Sequence, residues 1–123
     1  LIDALVNPEE RGHIARVALG NAQADAICIS PLVDLECMVR PLGSGDRRAI
    51  AATRDLLARF RQLEISARCF QLAAHLRALH RLKMADALHV ATASLGGCDQ
   101  IWTSDRALLT AVSGFAVEPQ DGR

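Results

Sequence analysis

The segment from Lys83 to Leu95 constrains the fold more than any other. Its side chains are small or apolar on nearly every face, among them Ala85, Ala87, Val90, Ala91, Ala93 and Ser94. A helix that is apolar nearly all round has no side to give to water and must be buried. Gly96-Gly97 stops it. The layers that could cover it come from short apolar runs. Ala26-Ile27-Cys28-Ile29-Ser30 has the pattern of a buried strand, Gln100-Ile101-Trp102-Thr103 reads as a second, and Phe115–Val117 as a last one. Helices are predicted between them. Asn7-Pro8 marks a break before a helix through Gly12–Ala22. Ser30-Pro31 opens a helix over Leu32–Arg40 that should end before Pro41, with Gly43-Ser44-Gly45 as a loop. Asp46 caps a helix from Arg47 to about Arg61. A short strand is expected around Gln62–Ser66, a helix from Ala67 to about Arg81, and a short helix over Ser104–Ala111. Strands alternating with helices predict an α/β fold with a short central parallel sheet flanked by helices.

The chain has 123 residues, half of them apolar, which fits one domain over residues 1–123 and excludes intrinsic disorder. No apolar run approaches the roughly 18 residues that span a bilayer, and the first residues do not read as a signal peptide. The expectation is a cytoplasmic protein with no membrane contact. Cys28, Cys37, Cys69 and Cys98 are scattered, with no C-x-x-C pair, so neither a disulfide framework nor a zinc site is expected. His75 and His80 are five apart and share no helical face. His89 reads as a packing or hydrogen-bonding residue. The formal net charge of zero hides a segregation. Arg40 to Lys83 holds ten basic and three acidic residues, so +7, against −7 for the rest. That segment reads either as a solvated helical face or as a rim for the phosphates of a nucleic acid. With only three Phe, one Trp and no Tyr, a large base-stacking platform is excluded.

Ligands of open α/β sheets bind outside the carboxyl ends of the strands, and three acids fall there. Glu36 lies on the helix after the Ala26–Ser30 strand, between Leu32 and Val33 in the apolar arc, unless it sits at the edge of that arc with its head in water. Asp86 opens the small-residue helix, where the helix dipole also favours an acid for purely structural reasons. Asp105 closes Ile101-Trp102-Thr103-Ser104-Asp105, at a strand end where a helix cap is also expected. Clustered carboxylates repel, and a divalent cation relieves the repulsion. Oxygen ligands suit Mg²⁺ or Mn²⁺, ions that serve phosphodiester hydrolysis.

Ile27-Cys28-Ile29-Ser30-Pro31 with Glu36, then Lys83-Met84-Ala85-Asp86-Ala87-Leu88-His89-Val90-Ala91-Thr92-Ala93, then Ile101-Trp102-Thr103-Ser104-Asp105 resemble the PIN domain, and more narrowly the VapC-type ribonuclease toxins of toxin–antitoxin pairs. The resemblance implies an endoribonuclease that uses Mg²⁺ or Mn²⁺ to activate water against RNA. Glu36, Asp86 and Asp105 then match the family's catalytic and metal acids. Thr103 matches a hydroxyl residue supporting water at the metal. The resemblance also implies a VapB-type antitoxin as inhibitor and a homodimer. Arg40, Arg47, Arg48 and Lys83 are the candidate RNA contacts; the same arginines could meet an acidic antitoxin tail. One departure stands out. Leu1-Ile2-Asp3-Ala4-Leu5-Val6 fits the family's first helix, which leaves the first strand and its aspartate missing and the domain N-terminally incomplete. Asp3 is a poor substitute for that acid. The alternative is therefore a degenerate, non-catalytic PIN-like module that binds RNA or protein. An aspartyl phosphatase is disfavoured, because no Asp-x-Asp follows a first strand.

Overall fold

The computed structural model describes residues 4–6, 27–103 and 105–118, and within 4–6 the side chain of Leu5 alone. The expected break at residues 7–8, the helix over 12–22, Asp3 and Ser104 lie outside the described residues. The strands are β1 (Ala4–Val6), β2 (Ile27–Ile29), β3 (Arg61–Gln62), β4 (Gln100–Trp102) and β5 (Ala116–Val117). The described helices are α1 (Pro31–Ser44), α2 (Arg47–Leu57), α3 (Ala67–His80), α4 (Met84–Leu95) and α5 (Arg106–Ala111). All strand pairs are parallel, in the order β3-β2-β1-β4-β5. The chain builds outward from β1 to β3 on one side, then to β5 on the other. The order therefore reverses beside β1, where a parallel sheet opens a crevice at its carboxyl edge.

The centre of the sheet departs from expectation. The first six residues, read as a helix, contain β1, a strand of three residues in the middle of the sheet. Leu5 pairs with Cys28 on one side and Ile101 on the other and is fully buried. Six residues are too few to separate a period of 3.6 from a strand apolar on both faces. The backbone edges of β2 and β4 decide it. Their N–H and C=O groups would be buried unpaired without a strand between them.

Ser30 opens α1 by accepting from the Val33 N–H, with Pro31 at the first helical position, as expected. The helix does not stop before Pro41. It runs to Ser44 with Pro41 inside and closes on Gly45 at φ 70°, so the expected Gly43-Ser44-Gly45 loop is mostly helix. A proline in the last turn removes one hydrogen bond, whereas in mid-helix it would break a ladder that continues on both sides. Asp46 caps α2 through the N–H groups of Arg48 and Ala49. That helix ends at Leu57, shorter than expected, and the following strand is Arg61–Gln62, displaced toward the N-terminus from Gln62–Ser66. Its position is set by β2, since Leu63 N–H also donates to Ile29 O at 2.8 Å.

α4 is the buried helix its composition requires. Every residue from Asp86 to Ala93 is buried. It packs most extensively against α3 and also touches β1 and β4. Small side chains allow that approach, and Ala87, Ala91 and Ala93 are fully enclosed. β1, β2, β4 and α1 contribute Leu5, Ile27, Ile29, Ile101 and Val33 to the same core.

Candidate active site

Three elements deliver polar groups to the carboxyl edge of the sheet. α1 leaves β2 through the Ser30 cap and carries Glu36 beyond its first turn. Its buried face is Val33 and Cys37, with Leu32 and Met38 partly covered. Glu36 flanks that face and stays partly accessible, whereas Val39 is 61% exposed. β4 leads through the buried Thr103 to Asp105. α4, packed on β1 and β4, brings Asp86 in its first turn and His89 one turn later, on the same face.

Asp86 is only 8% exposed. Its carboxyl is held above the usual carboxylate range, chiefly by burial and next by the charge of Asp105. Glu36 pushes in the same direction, and Lys83 opposes it. No described residue gives Asp86 a hydrogen bond. The three acids named from sequence are thus electrostatic neighbours, although up to 69 positions separate them in the chain.

Asp105 serves two ends. Its Oδ1 accepts from the N–H groups of Ala107 at 2.8 Å and Leu108 at 3.2 Å, which caps α5. Thr103 Oγ1 accepts from the Asp105 N–H at 3.0 Å and fixes the turn. The structural and the electrostatic readings of Asp105 hold together, because a carboxylate has two oxygens.

Sequence reasoning gave His89 a packing or hydrogen-bonding role and could not name its partner. His89 Nε2 lies 3.0 Å from Glu36 Oε1, across 53 positions of sequence. Burial pushes the imidazole pKa down, against the pull of Glu36. The contact is therefore a hydrogen bond from a neutral ring to a carboxylate.

The basic residues divide. Lys83 is the N-cap residue of α4 and its charge reaches Asp86. Arg40 follows Glu36 by one helical turn and is exposed. Arg47 and Arg48 are exposed at the start of α2, past the far end of α1. The eight steps along α1 from Glu36 to Ser44 carry the chain about 12 Å from Glu36. Arg40 also lines a cavity of about 510 Å³ between α1 and α2, with Cys37, Pro41, Thr53, Leu56 and Leu57 among its walls.

Among the described residues, no three His, Cys, Asp or Glu side chains stand close enough together to enclose a metal ion. The donor chemistry fits a looser mode. Mg²⁺ keeps several waters and is commonly held by one or two carboxylates plus substrate phosphate. Asp86 and Asp105, two carboxylates that repel one another, suit that mode.

A parallel sheet in the order 3-2-1-4-5 with acids at its carboxyl edge matches a known pattern. The family model for the PIN domain matches residues 1–113. The chain belongs to the PIN domain family. Solved structures agree with this PIN domain in fold. A toxin–antitoxin complex from Klebsiella pneumoniae superposes with a TM-score of 0.75 at 23% identity, over 95% of this chain and 98% of the other. A protein of Pyrobaculum aerophilum gives 0.73 at 20% identity, over 95% and 90%. VapC20 of Mycobacterium tuberculosis, a toxin that cleaves the sarcin–ricin loop, gives 0.65 at 19% identity, over 94% and 99%. The comparison with curated proteins gives no match. No described helix of this PIN domain is long and apolar enough to cross a membrane.

Proposed function

We propose that this PIN domain is an endoribonuclease of the VapC toxin type, dependent on Mg²⁺ or Mn²⁺ and restrained by a cognate antitoxin. One observation carries the reading. Asp86 is buried against the charges of Asp105 and Glu36 at the carboxyl edge of the sheet, with no described hydrogen-bond donor. Burying mutually repelling carboxylates is costly unless a cation completes them. Asp86 and Asp105 would hold the ion, with Glu36 beside them. When bound, a divalent cation lowers the pKa of water and stabilises charge on the phosphodiester. Thr103 fixes the turn that presents Asp105, and Lys83 offers a positive charge to an RNA phosphate at the mouth. Arg40, Arg47 and Arg48 extend that charge away from the acids, along the path of a bound strand.

The Klebsiella structure is a toxin–antitoxin complex, and the surface of α1 suits a similar partner here. Leu35, Val39 and Leu42 are 60%, 61% and 53% exposed and follow at helical spacing. Such a stripe suits an antitoxin helix or a second copy in a homodimer. The second reading, a non-catalytic module that binds RNA or protein, is favoured by one observation. No described trio of side chains encloses an ion.

Cleavage of a panel of single-stranded and structured RNAs separates the two. The nuclease reading expects cleavage that needs Mg²⁺ or Mn²⁺, stops with EDTA, and is lost in Asp86→Asn and Asp105→Asn. Undiminished cleavage in those variants sinks it. RNA binding without cleavage by the wild-type protein favours the module.

A further inference from the structure

His89 is 1% exposed, in the middle of the most buried helix. Among the described residues its ring has one partner, Glu36 Oε1 at 3.0 Å from Nε2. The other nitrogen, Nδ1, is sealed from solvent with no hydrogen-bond partner among the described residues. A carboxylate only accepts, so Nε2 carries the proton in this contact. A second proton on Nδ1 would bury a charged donor with no acceptor. The geometry therefore selects one state, a neutral imidazole donating from Nε2.

That state has a consequence for Glu36. The Glu36 side chain is long and partly accessible at the mouth of the site. Unheld, it would sample several rotamers in water. A lysine or arginine would hold it but cancel its charge. The neutral ring occupies one of about four lone-pair sites of the carboxylate and leaves the negative charge in place. We infer that His89 is a positioning residue, which fixes one oxygen of Glu36 from inside α4 and preserves the carboxylate's charge for a divalent cation. This rests on the nuclease reading above.

The test uses Mn²⁺ binding, measured by calorimetry and by electron paramagnetic resonance on the full protein, with RNA cleavage alongside. His89→Gln keeps an N–H donor at nearly the reach of Nε2, and His89→Asn keeps the amide but falls short. The Asn variant should weaken Mn²⁺ binding by about ten- to hundredfold, the range for residues that orient metal ligands, and the Gln variant should recover most of it. In the double variant with Glu36→Gln, the His89→Asn loss should vanish, because His89 acts only through Glu36. Equal binding in wild type, Gln and Asn overturns the inference. So does an equal loss in both, or a loss in the double variant equal to the sum of the single losses. Asp86→Asn separates the two claims. If it weakens Mn²⁺ binding while both His89 variants bind normally, the nuclease reading stands and the positioning role falls. If the wild-type protein binds no Mn²⁺, both fall.

Discussion

α4 and α2 are helices of nearly equal length with opposite surroundings. α4 buries every residue from Asp86 to Ala93, including Asp86, His89 and Thr92. α2 buries Leu57 alone and displays Arg47, Arg48 and Arg54 to water. Charge on α2 costs little, because water solvates it. Charge on α4 costs a great deal and persists only where something uses it. A polar residue in α4 is therefore evidence about the site, whereas an arginine on α2 is evidence about a surface.

The strongest test of that contrast is Asp86→Asn. It should lower RNA cleavage by about 100-fold or more, the scale for losing one group that stabilises developing charge. The same substitution should raise the melting temperature of the metal-free protein at neutral pH. The sign follows from linkage. Asp86 has a raised pKa in the folded state, so the folded protein binds its proton more tightly than the unfolded chain does. Its charge destabilises the fold above that raised value. The penalty is relieved as pH falls through it, and is gone below the usual carboxylate range. The stability gap between Asp86→Asn and wild type should therefore be widest near neutrality and close on acidification. A variant less stable than wild type at neutral pH would contradict this.

Steric probes sharpen the comparison next. Ala91→Leu overfills the enclosed centre of α4 and should cost about 1–3 kcal/mol in urea unfolding. Ala52→Leu on the exposed side of α2 should stay within about 0.5 kcal/mol of wild type. Equal effects would mean that the two helices are not packed as described.

Asp105 lies between the extremes, and its two tasks separate by substitution. Asp105→Ala removes the cap of α5 and should cost about 1 kcal/mol, whereas Asp105→Asn keeps a capping oxygen and should cost a few tenths. Both should lose cleavage. An active Asp105→Asn variant would leave the residue with its capping role alone.

The smallest effects belong to α2. Arg47→Ala and Arg48→Ala should leave the melting temperature unchanged and weaken RNA binding modestly. Each should also reduce the salt dependence of binding by about one unit of slope. Unchanged salt dependence would return both arginines to a merely solvated face.

Much of the fold was legible because the local signals are strong. Ser30-Pro31, Asp46 and Gly96-Gly97 mark helix ends through chemistry that acts within a few residues, and all three do so in the structure. β1 was misread, because Ala4–Val6 has too few residues to show a period and is held by backbone groups of β2 and β4. Pro41 misled for a related reason. The rule against proline in a helix weakens in the last turn, and only the closing Gly45 shows where that turn lies.

The site divides along the same line. Glu36, Asp86 and Asp105 were candidates from the sequence by their common place near the carboxyl edge of the sheet and by the family resemblance, and the structure makes them electrostatic neighbours. Sequence alone determined that the Lys83–Leu95 helix must be buried, and with it an acid in its first turn. Only the tertiary structure decided what that acid faces, which oxygen of Asp105 is spent on α5, and that His89 reaches Glu36. Patterning along a chain reports how each residue meets water. Which buried polar groups meet each other depends on how strands and helices distant in sequence are stacked, and no local period records that.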